Sequence, residues 1–160
     1  MKTCLIPGSF DPITVGHLDI IDRATKLFDH TIISVMHNVK KKCIFTLEER
    51  MELIKKVVGE RPDVEVTYFG GLMVDYARAH HVDVVVRGLR AVSDFEYEFQ
   101  IGALNHQLYP ELETIYLMTE TKYAFLSASM VREIGYYGGN IRDLVPPQIY
   151  DEVREKLLKK

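Results

Sequence analysis

The chain has 160 residues, the size of one domain whose core needs neither disulfides nor a structural metal. Its net charge of −3, from 20 basic and 23 acidic residues, supplies no bulk positive field for counterion-release binding, which disfavours a nucleic-acid partner. Residues 1–6 run too quickly into Pro7 and Gly8 to form a signal peptide, and no apolar run reaches membrane-spanning length, so a cytoplasmic protein without membrane contact is expected. Cys4 and Cys43 lie far apart with no Cys-x-x-Cys spacing, which suggests neither a redox pair nor a zinc site.

In chain order, "KTCLIPG" reads as a strand ending at Gly8. Leu18, Ile21, Ala24, Leu27 and Phe28 then mark one face of a helix. Residues 31–37 form a buried strand. Thr46 opens a second helix with a capping box, Glu49 lying three positions on, and Leu47, Met51, Ile54 and Val58 make its apolar stripe. "DVEVTYF" is a third strand and "GLMVDYARAH" a short third helix. Residues 82–88 are a β-branched run suited to a strand covered on both faces. Ser93 and Glu96 form another capping box, for a helix running to Leu108. "ETIYLM" is the fifth strand, and helices near residues 129–134 and 146–158 close the chain.

Five strands interleaved with helices predict an α/β fold, a single-domain, doubly wound, five-stranded parallel sheet spanning residues 1–160. In open sheets of this kind ligands bind beyond the carboxyl ends of the strands, at the point where strand order reverses. The stretch "GSFDPITVGH" follows the first strand at that end. Gly8 allows a sharp turn, Pro12 stiffens the excursion, and His17 projects from the helix start, where unpaired N–H groups attract anions. The same residues also make a plain tight connection with Ser9 or Thr14 as a helix cap, and spacing alone leaves both readings open. Neither the phosphate-loop nor the dinucleotide glycine fingerprint is present. Arg87, Gly88 and Arg90 follow the fourth strand on the same rim. Such arginines clamp phosphate oxygens or simply pair with carboxylates. In the order 3-2-1-4-5 the two loops face each other across the reversal.

"PGSFDPITVGH" resembles the T/H-x-G-H signature of the nucleotidyltransferase superfamily. "FTLEER", "RGLRAVSDFEYE" and "FLSASMVRE" resemble the bacterial phosphopantetheine adenylyltransferase family in order and spacing, over about residues 1–135. The resemblance implies a Rossmann-like nucleotidyltransferase fold and reversible transfer of AMP from ATP to 4′-phosphopantetheine, with Mg²⁺, giving dephospho-coenzyme A and pyrophosphate. It also implies a homohexamer built as a trimer of dimers. By resemblance His17 stabilises charge at the α-phosphate, and Ser9 and Phe10 hold nucleotide and acceptor. Lys41 and Arg87 match the cations of the acceptor phosphate, with Lys40 and Lys42 as possible substitutes, and Met73 matches a position on the pantetheine arm. Gly88, Leu89, Arg90, Glu98 and the segment Tyr123, Ala124, Phe125, Leu126, Ser127, Ala128 and Ser129 match ATP-binding positions. Glu98 is otherwise an ordinary surface charge, Met73 core filler, and Ser127 or Ser129 a helix cap. Ser9 stands where many relatives carry threonine, and Ala128 interrupts a run that is often all hydroxyl. No metal ligand, nucleophile or general base is nominated, because the acceptor phosphate is already an anion and the protein has only to align it. The alternatives are another phosphorylated acceptor on the same fold and a non-catalytic ATP-binding sensor.

Overall fold

The computed structural model of the protein describes residues 1–90 and 92–158, without the side chains of Val92 and Ser93. Strands β1 (Thr3–Gly8), β2 (His30–Met36), β3 (Val64–Phe69), β4 (Val84–Leu89) and β5 (Glu113–Met118) alternate with helices α1 (Val15–Ala24), α2 (Leu47–Val58), α3 (Met73–Ala79) and α4 (Val92–Leu108). Helices α5 (Ala128–Tyr136) and α6 (Tyr150–Leu158) follow. Every strand pairing is parallel and the order is β3-β2-β1-β4-β5, as the alternation predicts.

Period-two alternation divides the strand residues between two cores. Cys4, Ile6, Ile33, Val35, Val84 and Val86 face Ile20 and Ile21 of α1, Leu53 and Ile54 of α2, Val131 of α5 and Val153 of α6. Leu5, Ile32 and Val85 face the smaller cluster with Val74 and Ala77 of α3 and Leu112. The valines of β4 therefore serve both faces, as the unbroken β-branched run predicts. Each fully buried aliphatic side chain contributes about 1.5–3 kcal/mol.

The helix ends depart from the periodic pattern in places. The apolar stripe through Leu27 and Phe28 predicts a longer first helix, yet α1 stops at Ala24 and Thr25 caps it. Leu27 is exposed, while Phe28 packs on the core from beyond the helix end. Thr46 and Glu49 form the expected capping box on α2. The box read from Ser93 and Glu96 depends on the Ser93 side chain, which lies outside the described residues, and α4 already begins at Val92. Ser127 caps α5, and the last helical stretch resolves into a 3-10 turn (Pro147–Ile149) leading into α6. Along α4 the carboxylate Glu98 is buried while Phe95, Tyr97, Phe99, Leu104 and Leu108 are exposed.

Candidate active site

The crevice at the reversal of strand order begins with a proline. β1 pairs with β2 as far as Gly8, but with β4 only through Cys4 and Leu5. Pro7 has no N–H to extend a ladder, and its carbonyl instead accepts a hydrogen bond from Arg87 Nη1 at 2.9 Å. Beyond this point β1 and β4 part, and a cavity of about 310 Å³ opens over their carboxyl ends.

Three loops and a helix end wall this cavity. After β1, Phe10 is buried with φ 47°, in the left-handed region that few bulky residues occupy, and the Asp11–Pro12 peptide is cis. The Phe10 ring lies against Gly8, where an added Cβ would come within 3.0 Å of it, and meets the His17 ring edge-on with centroids 5.1 Å apart. Thr14 then caps α1 in a capping box with histidine in the place usually taken by Glu or Gln. The Thr14 N–H donates to His17 Nδ1 at 3.0 Å, and the His17 N–H donates to Thr14 Oγ1 at 3.3 Å. A backbone N–H can only donate, so Nδ1 carries no proton and Nε2 carries one. Burial, with the positive charges of Arg90 and Arg87, lowers the His17 pKa to about 4. The ring is therefore neutral near pH 7 and offers the cavity an N–H donor.

The end of β4 and the loop after it bring two arginines, Arg87 from the strand and Arg90 from the loop, each held by a carboxylate from α4. Arg87 Nε and Nη2 donate to Glu98 at 2.8 and 2.6 Å. Burial works against the Arg87 charge, but the Glu98 hydrogen bonds and charge prevail and raise its pKa. Arg90 Nε donates to Asp94 at 2.9 Å, and its Nη1 donates to the Leu126 carbonyl at 3.0 Å. From the β2–α2 loop Lys41 Nζ donates to Ser9 Oγ at 3.2 Å. Lys40 instead lines a second cavity between the ends of β2 and β3, with Met36, His37, Phe69 and Gly71. At the start of α5, Ser127 Oγ accepts from the Met130 N–H. The helix start thus faces the cavity with Ser127, Ala128 and Ser129 in its wall.

The structure brings together in this wall Ser9, Phe10, His17, Lys41, Arg87, Gly88, Arg90, Glu98, Tyr123, Leu126 and residues 127–129. Leu89, Ala124 and Phe125 lie outside it, and Phe125 is 86% exposed. Met73 lines neither cavity and packs on the smaller core cluster. Sequence reasoning passed over three buried or half-buried groups. Asp11 accepts hydrogen bonds from the N–H groups of Ile44 and Phe45 at 3.0 and 2.9 Å, tying the β2–α2 loop to the β1–α1 loop. Arg132 lines the cavity, donating to the Asp11 carbonyl at 2.7 Å and to Ser129 Oγ at 3.2 Å. Its place three residues after Ser129 puts both on one face of α5, a spacing visible in the sequence. Arg50 is buried, and its signal was a charge on the apolar stripe, three residues after Leu47 and four before Ile54.

Cations from two loops, the end of β4 and α5, with two helix starts and a neutral histidine donor, surround one cavity at the switch point and define the class: an α/β protein whose crevice suits phosphate-bearing ligands. A model of the cytidylyltransferase-like family matches residues 5–134. The phosphopantetheine adenylyltransferase of Alkaliphilus oremlandii is 47% identical over 156 residues, covering 98% of this chain and 99% of the relative. That of Clostridium botulinum (strain Alaska E43 / Type E3) is 50% identical over 153 residues, 96% of each. The chain belongs to the phosphopantetheine adenylyltransferase family and is an enzyme of the nucleotidyltransferase class. Among solved structures, a bifunctional NMN adenylyltransferase/ADP ribose pyrophosphatase from Francisella tularensis matches with a TM-score of 0.73 at 17% identity over 96% of this chain. This chain spans 49% of that protein. A lipopolysaccharide core biosynthesis protein from Thermoplasma volcanium matches with a TM-score of 0.54 at 20% identity, over 75% of this chain and 97% of the other. Both bear on the fold alone.

Proposed function

We propose that the protein, as a single nucleotidyltransferase domain, transfers the adenylyl group of ATP to the phosphate of 4′-phosphopantetheine, forming dephospho-coenzyme A and releasing pyrophosphate in coenzyme A biosynthesis. The observation that carries this reading is His17, neutral and with its Nε2–H free of the capping box, in one wall with Ser9, Lys41, Arg87 and Arg90. An oxygen of the acceptor phosphate attacks the α-phosphorus as the bond to the pyrophosphate oxygen breaks. His17 donates to the α-phosphate as charge spreads over its oxygens, and needs no proton transfer to do so. Lys41, Ser9 and Arg87 hold the acceptor phosphate. Arg90, Gly88 and the start of α5 hold the nucleotide, and Glu98 acts by fixing the Arg87 guanidinium. Lys40 and Lys41 are adjacent in sequence and line different cavities, which favours an acceptor arm extending into the second one, toward Phe69 and Gly71.

Mg²⁺ suits this site as an ion bound chiefly through substrate phosphates and water. Asp11, Asp94 and Glu98 are already engaged by N–H groups or arginines, and no group of three metal-ligating side chains exists among the described residues. When bound, the ion screens charge on the leaving pyrophosphate. The exposed apolar positions of α4 favour association between copies of this chain, which the homohexamer implied by the family resemblance requires. Among the described residues no helix is long and apolar enough to cross a membrane, in keeping with a cytoplasmic enzyme.

The deciding experiment is pyrophosphate release from Mg·ATP with 4′-phosphopantetheine, pantetheine or nicotinamide mononucleotide as acceptor. Release with phosphopantetheine alone is expected. Release with another acceptor, or ATP binding without release, overturns the reading.

A further inference from the structure

We infer that Arg50, a cation buried in α2, is a positioning residue that holds the phosphate-binding loops together and lends them a positive charge that, among the described residues, no carboxylate pairs in a salt bridge. The inference rests on the adenylyl-transfer reading above and concerns the end of the cavity where the acceptor phosphate is held.

Arg50 is 4% exposed. Its Nε donates to the Thr46 carbonyl at 3.3 Å, within its own helix. Its Nη1 donates to the Ser9 carbonyl at 2.8 Å and to the Met36 carbonyl at 3.2 Å. One guanidinium therefore joins the β1–α1 loop, the end of β2 and the start of α2. These are the segments that carry Ser9 and, through residues 37–44, Lys41. A buried ion is ordinarily paired with an opposite charge, because the interior solvates it poorly. Among the described residues Arg50 forms no salt bridge, and the partners of its hydrogen bonds are three backbone carbonyls.

The other cations of the wall differ in this respect. Arg87 and Arg90 are each offset by a carboxylate, Arg132 lies 3.7 Å from a carboxylate oxygen of Asp11, and Lys41 is exposed to solvent screening. Ser9 is the link between Arg50 and the ligand: its carbonyl is on Arg50 and its hydroxyl is on Lys41. A phosphate at Ser9 thus meets a cation one residue behind it in low-dielectric surroundings, and offers a counter-charge to a guanidinium without a salt-bridge partner among the described residues.

The test compares the intact wild-type chain with Arg50→Gln and Arg50→Lys. Steady-state kinetics give the KM for 4′-phosphopantetheine, and calorimetry gives adenosine affinity as a probe without phosphate. Arg50→Gln is expected to raise the KM about tenfold, with adenosine affinity held within twofold. Arg50→Lys, which keeps the charge, is expected to recover most of the loss. A KM within twofold of wild type in Arg50→Gln overturns the inference. So does a parallel loss of adenosine affinity, or no rescue by lysine. A second measurement needs no variant: the Arg50 Nε–H resonance of the wild-type chain is followed during titration with inorganic phosphate, a stand-in for the acceptor phosphate at Ser9, and, separately, adenosine. A saturable shift with phosphate only is expected, and an unmoved signal refutes the role. If the wild type turns over no phosphopantetheine yet phosphate still shifts this resonance, the acceptor reading fails while the role of Arg50 stands.

Discussion

Replacing His17 by alanine separates its place in the capping box from the role proposed for it in the reaction. In the capping box it accepts the Thr14 N–H through Nδ1, and its loss leaves that donor unpaired at the start of α1. Loss of a cap costs about 0.5–2 kcal/mol, which the domain tolerates at 25 °C. In the reaction the variant removes one preorganised donor, an effect of about 10²- to 10³-fold in kcat. His17→Gln restores an acceptor three residues after the Thr14 cap and should recover the lost stability, so that folding and rate are read independently. The folded ring, with its pKa lowered to about 4 from an ordinary 6.5, also predicts a pH signature. Between these values the unfolded chain binds more protons at this site than the folded one, so stability falls as pH drops from 6.5 toward 4 and is fully present above 6.5. At about 1.4 kcal/mol for each pH unit the loss reaches about 3 kcal/mol, and His17→Gln should lack it. Quenched-flow turnover, urea unfolding at several pH values and ¹⁵N spectra of the imidazole check these points. A folded His17→Ala enzyme with wild-type kcat, or an imidazole that titrates near 6.5, refutes the assignment.

Lys41→Ala removes a cation that meets Ser9 directly, and should raise the KM for the acceptor by about 10- to 100-fold. Lys42→Ala, outside both cavity walls, should stay within twofold, and equal effects of the two would show that the loop has no fixed register. Asp11→Asn puts an amide where a carboxylate accepts from two N–H groups, so one buried donor loses its partner; a stability loss of about 2–3 kcal/mol in urea unfolding is expected, and none would contradict the tie. Phe99→Asp alters an exposed position on α4, so it should leave the fold intact and shift sedimentation toward smaller species; an unchanged sedimentation coefficient would place the oligomer contact elsewhere.

Much of the fold was legible because its signals are local. The bounds of β5 and the Thr46 cap follow from patterns within a few residues, and the β-branched run of β4 suits a strand covered on both faces, as it proves to be. The end of α1 was not legible, because Leu27 continues the helical period yet no neighbour covers it. The Arg90–Asp94 pair spans four residues and was readable in principle, whereas the Arg87–Glu98 pair joins a strand end to a helix across a loop. Met73 was carried by its resemblance to a family position alone, and its packing on the smaller core is decided by where α3 sits on the sheet. Asp11, Arg50 and Arg132 make contacts to segments 14 to 121 residues away, which no periodicity encodes.

The residues that shape the site also build the fold, and this accounts for the economy of the loop after β1. Pro7 ends the ladder to β4 and thereby opens the crevice, while its free carbonyl orients Arg87. Thr14 caps α1, and by occupying His17 Nδ1 with a backbone donor it leaves the single ring proton on the nitrogen away from the cap. Ser9 passes its carbonyl to a buried cation and its hydroxyl to an exposed one. A substitution at any of these positions changes the local backbone and the chemistry together. For that reason the informative variants are those that restore one function without the other, such as glutamine at His17 and lysine at Arg50.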